Sequence, residues 1–281
     1  MKGGSSVRKT FAQILKSANV NLRAEYTRLY KMFFDSGSDG DSVCDCISRS
    51  FATHPLRGTC LTFKEFNKQY GFSFSRVPTD FTIDDYLNLA EYVYNLIMYF
   101  DDCYFLSPYS KNYFFQQINM VIESIGYMYA QDEGITIFVP KVPAAIAVAE
   151  SNSIPEKLSY ELIAYNHHSK KGNLEGKRSL LLALGDLLEP RRKEINKIDS
   201  TFCTDLFYLL NNLNIRHNNT APAPNPKYRQ AVASMSREDL ENWYDDTYQM
   251  CLLAFLRLDH QERKVRFDAL KCSIENKNTP N

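Results

Sequence analysis

The chain has 281 residues and balances 33 Lys+Arg against 33 Asp+Glu, so no global field draws it to nucleic acid, and any such contact has to be local. Apolar residues make up 44% and aromatics 13%, enough to build a real core and against disorder away from the ends. No apolar run approaches the roughly 20 residues of a membrane helix, and the polar start Met1-Lys2-Gly3-Gly4-Ser5-Ser6 lacks the apolar stretch of a signal peptide. The expectation is a cytoplasmic protein with no membrane association.

The length accommodates two domains, and the pattern predicts mainly α structure. Val7 to Phe34 keeps a helical period through Phe11, Ile14, Leu15, Ala18, Leu22, Tyr26, Leu29 and Phe33, and predicts one long helix or two in line. The turn-rich run Asp35–Asp41 ends it. Residues 42–82 read as irregular, with a short helix opening after a Thr62 cap. Ile83 to Phe100 is a strong helix with a wide apolar arc, and Ser107-Pro108 starts another that runs to about Ile125. Tyr127–Tyr129 and Ile135–Val139, rich in aromatic and β-branched residues, flank a turn at 130–134 and predict a β-hairpin near 127–139.

Ala144–Glu150 reads as a short helix, and Ser151–Pro155, polar and Pro-punctuated, as the domain boundary, with Ser153 placed to cap the next helix. This divides the chain into an N-terminal helical region (1–150), a C-terminal bundle (151–275) and a polar tail (276–281). The bundle comprises helix A from Pro155 to His168, helix B from Leu174 with a restart at Pro190, helix C from Thr201 to about Ile215, and helix D from Ser236. Pro222, Pro224 and Pro226 mark the loop between C and D.

Few constellations offer chemistry. Cys44, Cys46, His54 and Cys60 lie close in sequence, but their C-x-C spacing lacks the paired C-x2-C of a zinc knuckle, so no metal is expected. Asp101-Asp102 and Asp245-Asp246 lack the second carboxylates one turn away that Mg2+ would need. There is no P-loop, dinucleotide glycine motif, G-x-S-x-G or H-E-x-x-H, and no cofactor is expected.

The densest polar cluster runs from Asn211 to Asn219 at the end of helix C. Asn212 and Arg216 share a helix face, and His217 is next in sequence. A histidine transfers protons near neutral pH, an arginine clamps a phosphodiester and stabilises its transition state, and the amides of Asn212, Asn218 and Asn219 orient a ribose or phosphate. These are the parts of a metal-independent ribonuclease. The structural alternative is that Arg216, His217 and Asn218 cap a helix C-terminus, where cations and Asn are favoured.

A bundle of this size with Arg216 and His217 at the end of a core helix resembles the HEPN superfamily, over residues 153–272 at most. Residues 212–219 are also similar to a motif of uncharacterised bacterial proteins placed near abortive-infection genes. The resemblance implies a HEPN-like four-helix bundle, a homodimer, an endoribonuclease or RNA-binding role in bacterial antiphage or toxin–antitoxin defence, and a protein antitoxin or defence partner. Arg216 and His217 would then be catalytic, and Asn212, Asn218 and Asn219 would bind substrate. The family's usual motif separates Arg and His by four to six residues, whereas here they are adjacent, so the carry-over is of residue type and location. Arg49 and His54 have the usual spacing but lie in the irregular region, and rank second. The competing expectation is a non-catalytic protein–protein interaction module. Near these candidates, His167-His168 with Lys170-Lys171 and the run Arg191-Arg192-Lys193 read as solvated faces first and phosphate contacts second.

Overall fold

The computed structural model describes residues 20–36, 40–100, 107–132, 134–222 and 224–276. It is mainly helical, 70% helix, with one two-stranded antiparallel hairpin among the described residues. No described helix is long and apolar enough to cross a membrane. Contacts divide the chain into two compact units, one of residues 1–129 and 133–138 and the other of 130–132 and 139–281.

The first unit forms around one apolar helix. Helix α1 (Leu22–Phe34) starts where the Asn21 side chain accepts from the Ala24 N–H, so the described part of the Val7–Phe34 period is one helix with its own cap. Residues 7–19 lie outside the described residues. Residues 42–82 are more regular than the sequence suggested. Ser42 and Asp45 form a capping box that opens α2 (Val43–Ser50), and Thr62 caps α3 (Phe63–Gln69) as expected. The difference arises because Val43, Ile47 and Phe51 give α2 an apolar stripe too short for periodicity alone to reveal, and Ile47 and Phe51 are fully buried.

Helix α4 (Ile83–Tyr99) is the centre of this unit, with eight residues buried, among them Leu87, Ala90 and Val93. Asp85 accepts from the Thr82 N–H at 2.7 Å and fixes its start. Helix α5 (Pro108–Ser124) has Pro at its first turn and Ser107 as cap, as the sequence indicated. Asp101-Asp102 lie outside the described residues. Strands β1 (Tyr127–Asp132) and β2 (Ile135–Pro140) reach further toward each other than the sequence implied, leaving positions 133 and 134 between them. Gly134 has φ +84°, the left-handed conformation a two-residue hairpin turn demands.

The second unit gathers around one long helix. It contains α6 (Pro143–Ala149), α7 (Glu156–Ile163), α8 (Leu174–Leu188), α9 (Arg192–Ile198), α10 (Ser200–Asn212), the short α11 (Gln230–Ala233) and α12 (Arg237–Asn276). Helix α12 packs against α6, α8, α9 and α10. Its core side includes Tyr244, Tyr248, Cys251, Leu252, Phe255 and Leu258, all at most 4% exposed. Each such side chain contributes about 1.5–3 kcal/mol of burial.

The expected boundary at Ser151–Pro155 lies within this unit. Helix α6 packs on both α7 and α12, and the Ser159 hydroxyl donates to the Ala149 carbonyl at 2.9 Å, so the polar turn joins two helices of one core. Ser153 does not cap α7, whose N-cap is Pro155 without a side-chain bond. Helix A is also shorter than expected, because His167 turns extended (ψ 140°) and splits its second half into two 3-10 turns. Pro190 restarts the chain through a 3-10 turn into α9, as the sequence suggested.

Candidate functional site

The polar cluster sits in the second unit, at the C-terminal end of α10. The helix stops at Asn212, and the chain leaves it through Asn214 at φ +59°, a left-handed conformation that Asn tolerates better than most residues. Leu213 and Ile215 turn into the core, at 7% and 0% exposure. Arg216 between Ile215 and His217 is therefore carried back to the surface, and its backbone N–H donates to the Leu210 carbonyl at 3.1 Å.

The guanidinium of Arg216 meets carboxylates there. It donates through Nη1 to Glu189, and its Nη2 lies 3.8 Å from Asp186. Both acids come from α8 and the turn after it, three residues apart and so on one face. The stem passes beside Gly185, where a Cβ would make only ordinary contact with the Arg216 Cδ at 3.8 Å but would crowd the Leu210 side chain at 3.2 Å. Glu189 is shared with Arg192, whose Nη1 lies 3.5 Å away and whose guanidinium also covers the Phe207 ring at 4.5 Å. Two guanidiniums and two carboxylates leave this patch without net charge.

The amides are equally committed. Asn214 and Asn219 form a reciprocal pair, each side-chain oxygen accepting the other's backbone N–H at 2.8 and 3.0 Å. Asn219, fully buried, also donates its side chain to the Lys227 carbonyl at 2.7 Å. Asn218 accepts from the N–H groups of Thr220 and Ala221, an Asx turn that starts the proline-rich loop. Asn212 donates to the Tyr208 carbonyl at 2.9 Å and accepts from Arg229 Nε at 2.9 Å. Apart from the Asn212–Tyr208 bond, which lies within α10, each of these bonds fastens the 213–229 loop to itself or to α10. His217 differs: it is half-buried and has no hydrogen bond or ion pair among the described residues.

The second-ranked pair does not converge. Arg49 bonds Asp41 at 2.8 Å, whereas His54, half-buried, is bonded elsewhere in the first unit. Its Nε2 lies 2.8 Å from the Tyr99 carbonyl, its Nδ1 accepts the Leu56 N–H at 3.1 Å, and its ring stacks on Phe100 at 4.1 Å. This pattern uses both ring nitrogens. The neighbouring thiols are spoken for in similar fashion. Cys60 donates to Gln69 at 3.1 Å, and burial, with Asp45 nearby, pushes Cys44 up to about 11.

One polar group escaped sequence reasoning. Lys177 of α8 is only 7% exposed, and its ammonium bonds Glu241 at 2.8 Å and Asp245 at 2.7 Å on α12. Burial alone would raise the Glu241 carboxyl, but the Lys177 ammonium and the Gly172 N–H outweigh it and hold the carboxyl below its usual range. The Lys177 ammonium also lies over the Tyr165 ring, which stacks on Tyr248 at 4.0 Å. Asp245, read in sequence as half of an acidic pair, is thus an anchor for a buried lysine. The signal available was only its helical register on α12, on the same face as Glu241 four residues earlier. The basic run Arg191-Arg192-Lys193 is likewise half-committed: Arg191 bonds Glu194 and Glu262, while Lys193 and Lys197 line a shallow recess of about 340 Å³. No family model, curated protein or solved structure matches the chain.

Proposed function

We propose that this protein is a non-catalytic helical interaction module, in which Arg216 and the asparagine cluster shape a rigid loop at one end of the second unit. The observation that carries this reading is the pairing of Arg216 with Glu189 and Asp186. A guanidinium that must clamp a phosphodiester would have to abandon these two carboxylates, and their negative charge would repel the incoming phosphate. Asn212, Asn218 and Asn219 would likewise have to surrender bonds that hold the 213–229 loop. The setting belongs to the same proposal: a cytoplasmic protein of a bacterial antiphage or abortive-infection system, acting through a protein partner such as an antitoxin.

One observation favours a second reading. His217 has no hydrogen-bond or ion-pair partner among the described residues and sits beside Arg216. Release of Arg216 from α8 would leave the parts of a metal-independent HEPN-like endoribonuclease, working as a homodimer on RNA. The deciding experiment is incubation of purified protein with total cellular RNA in EDTA, comparing wild type, His217→Ala and Arg216→Ala. The module reading expects no cleavage by any of the three. Cleavage that survives EDTA and disappears with His217→Ala would overturn it.

A further inference from the structure

Helix α12 is 40 residues long, about 60 Å at ~1.5 Å per residue, and the unit that it organises covers only its first half. Leu258 is its last buried position, and residues 260–275 are exposed throughout. Four turns of helix with no packing gain little from backbone hydrogen bonds alone. This segment nonetheless carries large apolar side chains: Phe267, Leu270 and Ile274 are 46%, 57% and 54% exposed. Their i, i+3, i+7 spacing places them in one stripe, the pattern of a helix that docks through anchors.

The charges around the stripe indicate what covers it. Lys264 and Lys271 border it on one side and Arg266 on the other; Lys271 lies 4.0 Å from Asp268 in an exposed, weak pair, and neither Lys264 nor Arg266 has an ion-pair partner among the described residues. A second copy is disfavoured in either orientation. A parallel pair sets Arg266 of one helix against Lys271 of the other, and an antiparallel pair brings the lysine-bearing borders together. A bilayer surface needs a broad apolar face, whereas this stripe is one side chain wide. Resting on the interaction-module reading, we infer that residues 260–275 form a docking helix whose Phe267, Leu270 and Ile274 enter the apolar seam of a partner protein's helix flanked by Glu and Asp.

The probe is a synthetic amphipathic helix with a leucine seam flanked by Glu, and a counterpart flanked by Lys. Binding of each fluorescent peptide to the full chain is read by anisotropy. The Glu peptide is expected to bind at least about tenfold tighter than the Lys peptide, and to weaken with salt. The triple variant Phe267→Ser, Leu270→Ser, Ile274→Ser should lose at least about tenfold, while Val265→Ser on the opposite face should not. Reversing Lys264, Arg266 and Lys271 to Glu should reverse the peptide preference. All these residues are exposed, and circular dichroism checks that the helix persists. Equal or absent binding of the two peptides overturns the inference. So does stripe-dependent dimerisation in sedimentation, or stripe-dependent binding to phosphatidylserine vesicles. RNA cleavage would overturn the module reading instead, so the two failures are separable.

Discussion

The commitment of Arg216 to α8 has a measurable consequence in Arg216→Ala. Its side chain is 22% exposed and Glu189 36%, so their bond is only partly screened and is worth about 1 kcal/mol. Asp186, at 3.8 Å and 61% exposed, adds close to nothing. The partly buried aliphatic stem beside Gly185 adds about 1 kcal/mol of packing, at about 0.8 kcal/mol per buried CH2. The variant should therefore lose about 2 kcal/mol, which lowers the urea midpoint by about 1 M for a domain of this size. The single tryptophan, Trp243, lies on α12 and reports the second unit by fluorescence. A double-mutant cycle with Glu189→Ala isolates the pair and should give a coupling of about 1 kcal/mol. A coupling near zero, with Arg216→Ala as stable as wild type, would refute the reasoning. It would mean that the guanidinium is free in solution and available to a phosphate.

Three further outcomes are expected from the same geometry. Asn219→Ala should cost about 2–3 kcal/mol, because it strands the Asn214 N–H and the Lys227 carbonyl in a closed loop, and limited proteolysis should then cut within 213–229. His54→Ala should cost about 2–3 kcal/mol through two lost hydrogen bonds and the Phe100 stack, read from hydrogen exchange of α4, without any change in RNA-directed behaviour. The third concerns pH. Glu241 has a folded pKa below its unfolded value, so its contribution is complete above the ordinary glutamate pKa of about 4.3 and is lost as pH falls through the lower folded value. Wild type should therefore lose stability on that acid limb more steeply than Glu241→Gln; parallel urea-midpoint curves between about pH 2.5 and 6 would contradict this.

Much of the framework was determined by the sequence, because it depends on local rules. The apolar arc of α4, the Ser107-Pro108 start of α5, the start of α8 at Leu174, the Ser236 start of α12 and the hairpin turn at Gly134 all arise from period, capping and turn chemistry within a few residues. The asparagine-rich exit from α10 was also legible as a place where the backbone must be satisfied by side chains. What local patterns do not encode is which distant residues meet. The meeting of Arg216 with Glu189 and Asp186, 27 and 30 positions earlier, depends on how α8 and α10 pack, and so does the burial of Lys177 between Glu241 and Asp245 on the packing of α8 against α12. The same holds for His54, whose Nε2 finds a helix end 45 residues away. Residue type proposes chemistry for a histidine or an arginine, but the partners that spend or spare that chemistry are set by tertiary contacts. The sequence therefore determined the elements and the candidate residues, and the tertiary structure decided that most of those residues are already engaged, because a charged or amide group brought out of water takes the nearest complementary group the fold supplies.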